Sequence, residues 1–164
     1  GLKFNAHQVA IAWVLTLFRM SASASPSSTM EESWTFNERF GGVKTMKEIG
    51  TQMRSVIYLA GKFRWRFLVF PCGTAGTQGS HVSVFVEACP DDDWQEGWCF
   101  PDVHYTITAL NSANDAKSVT KKDTCTFSSS RIDRGWHDII EGGRWDFIQR
   151  QGWLTANGEL HFRV

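Results

Sequence analysis

Two alternating apolar segments joined by a polar loop constrain the fold of this chain more than any other stretch. In FRWRFLVF, which starts at Phe63, apolar side chains occupy every second position and two arginines stand between them. HVSVFV, which starts at His81, alternates in the same way and sets Val82, Val84 and Val86 on one face. A pair of half-buried strands needs a second layer over its apolar face. We therefore expect the rest of the chain to supply that layer.

Further segments typical of strands recur along the chain, separated by turn residues. They occupy residues 33–40, 54–59, 103–110, 119–127 and 159–164. Eight Trp and twelve Phe favour sheets over helices. Two short segments are interpreted differently, as a helical turn at 137–141 and as a brief strand or bend at 145–148. The pattern predicts an all-β fold, a seven- to eight-stranded antiparallel β-sandwich with Trp34 and Trp65 in its core.

Residues 1–30 differ in composition from the rest and are predicted to be an N-terminal extension. An apolar face favours a short helix over residues 5–19, and a Ser/Ala/Pro-rich linker follows at 21–29. The ten-residue apolar run 9–18 is too short for a membrane span of about twenty residues. A signal peptide over residues 1–24 remains an alternative, because Lys3 precedes the apolar run and small residues follow it. The β domain is expected to cover residues 31–164.

Charge and cysteine content restrict the partners and the compartment. Seventeen basic and seventeen acidic residues cancel, which argues against nucleic acid and membrane surfaces as partners. The four cysteines are widely spaced, so we expect free thiols in a reducing compartment, cytoplasmic and/or nuclear. The acidic run 91–93 lacks the spacing of a calcium loop. We expect no metal and no cofactor.

Six short motifs occur in one order between residues 33 and 164. They are SWTFNERF, KFRWRFLVFPCG, HVSVFV, YTITALN, DTCTF ahead of an Asp-x-Gly-Trp turn, and QGWLTANGEL. This series resembles the MATH (meprin and TRAF-C homology) family, in particular the substrate-recognition domains of ubiquitin-specific protease and speckle-type POZ adaptor proteins. The resemblance implies an antiparallel β-sandwich that holds short unstructured segments of other proteins in a shallow groove beside one sheet.

The resemblance also implies which residues line the groove. They are His81, Tyr105, Asp133, Arg134, Gly135 and Trp136. The family's Asp-Trp-Gly-Phe turn reads Asp-Arg-Gly-Trp here, so the chain departs from the family at Arg134 and Trp136. We expect a more polar and basic groove that tolerates an acidic or phosphorylated ligand. Alternation alone assigns Tyr105 to the core, together with Val103 and Ile107.

The predicted function is that of a protein–protein interaction module. It is expected to recruit substrates in a ubiquitin pathway, for either a deubiquitinase or a ubiquitin ligase. Two alternatives remain open: an oligomerising TRAF-like signalling adaptor, and a non-catalytic part of a larger cysteine protease. Residues 5–19 are too short for a coiled coil of several heptads, so oligomer formation has no support in the sequence. Cysteines and histidines suited to a thiol hydrolase are present, but no local signature pairs them. We therefore expect a binding module and no catalysis by this chain.

Overall fold

The computed structural model describes residues 33–164. The predicted helix at 5–19, the linker at 21–29 and the signal-peptide alternative lie outside the described residues. Nine strands and one α-helix occur in the described part. The strands are β1 (Asn37–Phe40), β2 (Met53–Arg54), β3 (Tyr58–Ala60), β4 (Phe63–Phe70), β5 (His81–Ala88), β6 (Cys99–Leu110), β7 (Val119–Ser128), β8 (Asp133–Glu141) and β9 (Leu160–Arg163), and the helix is α1 (Trp145–Arg150). Within this range no helix has the length and apolarity needed to cross a membrane.

The strands form two antiparallel sheets. The four-stranded sheet has the order β1-β9-β6-β7. The five-stranded sheet has the order β2-β4-β5-β8, and β3 pairs with β4 beside β2. The single strand predicted at residues 54–59 is instead two short strands, β2 and β3, which both pair with β4. The all-β sandwich predicted from the alternating segments is confirmed.

The core lies between the two sheets and uses the alternation seen in the sequence. Val82 and Val84 of β5 are fully buried, as are Ile107 of β6 and Phe162 of β9 from the other sheet. The second face of β5 is covered as well, since Ser83 is also fully buried and donates a hydrogen bond to the His137 carbonyl at 2.6 Å. β5 is therefore a central strand with both faces covered.

The two tryptophans assigned to the core differ in their surroundings. Trp65 packs against the core, and its ring centre lies 4.9 Å from that of Phe127. Trp34 is 44% exposed, so its assignment to the core was wrong. It precedes β1 and lies over the turn at Gly61, where an added Cβ would meet its ring at 3.5 Å. The alternation of SWTF continues outside the sheet, and Trp34 covers a turn instead of entering the core.

The predicted helical turn at 137–141 is also wrong, because these residues belong to β8. Val84 is opposite Trp136 while Val82 is opposite Ile140, so β8 holds two extra residues in a bulge. The bulge separates the inward side chains of Trp136 and Ile140 by four positions, and Ile139 is buried too. This apolar spacing resembles the spacing of a helix although the backbone is a strand.

The predicted strand or bend at 145–148 is wrong as well. Residues 145–150 form the helix α1, in which Ile148 is buried. At six residues the helix spans fewer than two turns, which is too short for helical periodicity to appear in the sequence.

The environment of His161 on β9 predicts a pH-dependent stability. Burial lowers the pKa of His161 from its ordinary value near 6.5, and the nearby Arg39 and Arg163 lower it further. The unfolded chain therefore binds a proton at a higher pH than the folded domain does. The free energy of unfolding should fall as the pH drops below about 6.5 toward the lowered pKa. Urea unfolding of His161→Gln at several pH values should show a smaller loss than the wild type, and an equal loss would contradict this assignment.

Candidate functional site

The edges of the two sheets meet at β7 and β8. β8 is the last strand of the five-stranded sheet and β7 is the last strand of the four-stranded sheet. Tyr105 of β6 lies beneath this edge, with its ring centre 5.4 Å from that of Trp136 on β8. We call the surface between the strands the edge slot. It is lined by Tyr105, Cys125, Arg134 and Trp136, all half-buried.

The strand register explains why these side chains face the slot. Trp136 and Arg134 lie opposite the inward-facing residues Val84 and Val86 of β5, so they share the core-facing side of the sheet. Because β8 is an edge strand, the two side chains are only partly covered. Tyr105 is on the core side of β6, as its alternation predicts, and still reaches the slot. The core and groove assignments of this residue are therefore compatible.

Gly135 sets the distance between β8 and β5. It lies opposite Phe85, and a Cβ added to it would overlap with the carbonyl oxygen of Val84. A side chain at this position would have to push the two strands apart.

The backbone of β8 directs polar groups toward its free edge. The Ala88 N–H of β5 donates to the Ile132 carbonyl at 2.8 Å. Successive residues of a strand direct their backbone groups to opposite edges. The polar groups of Asp133 and Gly135 therefore face away from β5. An edge with unpaired backbone groups is a surface on which another strand can pair.

Two side-chain bridges connect β8 to β7. The Arg134 Nη2 group donates to the Thr126 carbonyl of β7 at 2.8 Å. Farther along, Lys121 Nζ donates to Asp138 Oδ1 at 2.7 Å, and this bond lowers the pKa of Asp138. The aromatic pair of the edge slot lies between these bridges along β8.

The structure brings five of the six predicted site residues together. Tyr105 contacts Trp136, while Asp133, Arg134 and Gly135 form the start of the same edge strand. His81 lies elsewhere, opposite Glu141 at the far end of β8 and on the outward face. Its ring Nδ1 lies 2.7 Å from the Ser80 hydroxyl. His81 and Arg134 therefore lie toward opposite ends of β8.

Three residues of β7 near the slot were not predicted. Lys121, Asp123 and Cys125 lie opposite Ile107, Tyr105 and Val103 of β6. They share the core-facing side with these partners. A strand over residues 119–127 predicts that these three residues share one face, but it does not predict that β7 lies beside β8.

Three of the four thiols of the domain lack the properties of a cysteine nucleophile. All four cysteines are free. Burial raises the pKa of Cys72, Cys89 and Cys125, whereas a nucleophilic thiol needs a lowered pKa. Among residues 33–164, no group of His, Cys, Asp and Glu is arranged to hold a metal ion.

An apolar concavity continues the β7–β8 edge beyond the Lys121–Asp138 bridge. Its volume is about 340 Å³. The lining residues come from β7, β8, α1 and the segment after α1, and they are Val119, Ile139, Ile140, Glu141, Phe147, Gln151 and Trp153. One edge of the sandwich therefore presents an aromatic slot and an apolar concavity in line.

The close approach at Gly135 predicts a destabilising Gly135→Ala substitution. The added methyl group would overlap with the Val84 carbonyl, and such overpacking costs about 1–3 kcal/mol. Gly76→Ala is the matched control, since its nearest neighbour, Thr74 Oγ1, is 3.7 Å from the added Cβ, and it should change stability by less than about 0.5 kcal/mol. Urea unfolding measures both variants. Equal stability of the two would contradict the packing described here.

Comparison with known proteins agrees with the motif order. No protein-family model matches the chain. The chain is 26% identical over 102 residues to a MATH and LRR domain-containing protein of Plasmodium falciparum (isolate 3D7). The match covers 60% of this chain and 1% of that much longer relative. The match, the motif order and the two antiparallel sheets agree with a MATH-like β-sandwich. The similarity to a MATH domain-containing protein suggests a protein-interaction module.

Proposed function

We propose that this domain binds short, unstructured segments of other proteins, which pair as an extended strand with the free edge of β8. The observation that carries this proposal is the position of Asp133 and Gly135. Their backbone groups face away from β5, directly beside the half-buried Tyr105 and Trp136. In strand addition, backbone hydrogen bonds provide affinity, and pockets for alternate side chains provide specificity.

The two depressions along the edge support a ligand of defined length. Gly135 and Ile140 lie opposite Phe85 and Val82, which are three residues apart on the regular strand β5, and this spacing corresponds to about 10 Å of extended chain. A bound segment of about four to six residues therefore reaches from the aromatic slot to the apolar concavity. Its apolar side chains would enter these two sites, and its other side chains would face solvent.

The wider role proposed here is substrate recruitment in a ubiquitin pathway, in the cytoplasm and/or nucleus. The resemblance to substrate-recognition domains of ubiquitin-specific protease and speckle-type POZ adaptor proteins supports it. Burial raises the pKa of Cys72, Cys89 and Cys125, which disfavours these three thiols as nucleophiles. Any catalytic step then belongs to another part of a larger protein or to a partner.

Replacing Trp136 with Ala is expected to weaken peptide binding by about 30-fold or more, since partly buried aromatic side chains at an interface centre contribute about 2 kcal/mol. The probe is a peptide selected on the wild type from a random dodecapeptide library, labelled with fluorescein and measured by fluorescence anisotropy.

Trp145→Ala is the matched control, because Trp145 is another partly exposed tryptophan, 37% accessible, and lies in α1 instead of β8. It should bind as the wild type does. Thermal unfolding verifies that both variants are folded. Unchanged binding by Trp136→Ala, or a failure of the wild type to select any peptide, would contradict the proposed function.

A further inference from the structure

The guanidinium of Arg134 already occupies the place where a ligand strand would pair. Its Nη1 group donates to the Asp133 carbonyl at 2.8 Å, and its Nη2 group donates to the Thr126 carbonyl at 2.8 Å. The guanidinium carbon of Arg134, Cζ, lies 5.9 Å from the ring centre of Phe127. One side chain thus crosses the entrance of the edge slot and holds a carbonyl on each of its two strands.

We propose that Arg134 is a latch that closes the recognition edge in the free protein and selects extended ligands carrying an acidic residue. The inference rests on the proposed function, since it assigns the ligand class for that same site. The MATH family pattern has Trp at this position, so the latch is a departure of this chain from the family it resembles.

Both carbonyls are available to the latch for structural reasons. The Asp133 carbonyl faces the free edge of β8, where the first N–H of an added strand would otherwise donate. Thr126 lies opposite the bulge at Pro101 and Asp102, where the pairing of β6 with β7 shifts register. The guanidinium therefore satisfies two acceptors that the sheets leave without a strand partner.

The charge of Arg134 has no carboxylate partner within the described residues. The ion pairs there join other side chains, at Arg64, Arg66, Lys121, Arg144 and Arg150. Asp123 and Arg134 both lie near Tyr105 and act on its pKa in opposite directions, but they do not form an ion pair. The cation is held by two neutral carbonyls and the ring of Phe127, with no carboxylate, and is therefore open to exchange.

The difference between acidic and neutral ligands follows from this exchange. A carboxylate offers the guanidinium a planar two-bond pairing that is stronger than its bonds to neutral carbonyls. When Arg134 turns to the ligand carboxylate, the Asp133 carbonyl becomes free to accept from the ligand backbone. A neutral ligand must displace the guanidinium without offering it an anion, which leaves a half-buried charge poorly paired. We expect a preference of about ten-fold or more for the acidic ligand.

The test uses the full 164-residue chain and a pair of peptides. Random dodecapeptides are selected on the wild type, and one acidic selected peptide is synthesised with its Glu or Asp residues and again with the matching Gln or Asn residues. The dissociation constants of both forms are then measured for the wild type and for Arg134→Met, which keeps an unbranched apolar stem and removes the charge. Arg134→Gln is the second variant, in case the first unfolds below the temperature of the measurement.

If Arg134 acts as a latch, two results are expected that an arginine with only a structural role would not give. The wild type should prefer the acidic form at least about ten-fold, whereas Arg134→Met should bind both forms within about three-fold of each other. Arg134→Met should also bind the neutral form more tightly than the wild type does, because its edge is already open. Equal binding of both forms by the wild type, selected peptides without acidic residues, or an equal loss of both forms in Arg134→Met would overturn the inference.

Failure of the latch and failure of the proposed function give different results. If the wild type binds its selected peptides and Trp136→Ala does not, the proposed function stands whatever Arg134→Met does. If Trp136→Ala binds the same peptides as tightly as the wild type, the edge slot is not the binding site, and both proposals fall.

Discussion

The pairing of β8 with β5 is the interaction on which both the core and the candidate site depend. On one side of the bulge it places Trp136 opposite Val84, and on the other it places Ile140 opposite Val82. The buried Ser83 hydroxyl donates to the His137 carbonyl inside the bulge, which satisfies a backbone acceptor that the ladder omits. The two extra residues let Ile140 return to the core while Trp136 remains at the edge slot. One register thus positions a core residue and a recognition residue on the same strand.

The sequence predicted the parts of the fold that depend on uninterrupted alternation. The segments that became β4, β5, β9 and the 103–110 part of β6 alternate, and their period of two indicated the sandwich. β8 was misassigned because its bulge gives Trp136, Ile139 and Ile140 the spacing of a helix face. Trp34 was misassigned because its alternation extends beyond the first pairing residue, Asn37. Both errors arise where the apolar pattern of the sequence does not match the strand pairing. Burial follows the pairing.

The site residues that belong to the family motif could be predicted from the sequence. Those that depend on the order of the strands could not. Asp133, Arg134, Gly135 and Trp136 are adjacent in sequence, so their proximity required no tertiary information. The neighbouring Cys125 depends on β7 lying beside β8, which no pattern within either strand encodes. His81 shows the converse, since its motif position is matched while its register places it opposite Glu141, away from the slot.

The most direct test of the account is amide hydrogen exchange of Gly135 measured by NMR with and without a saturating selected peptide. The Gly135 N–H faces the free edge of β8, so an added strand should accept its hydrogen bond and slow its exchange by at least about ten-fold. Amides of β1 and β3, which form the opposite edges of the two sheets, should exchange at unchanged rates. Unchanged exchange at Gly135 together with new protection at β1 or β3 would contradict the central claim that β8 is the recognition edge.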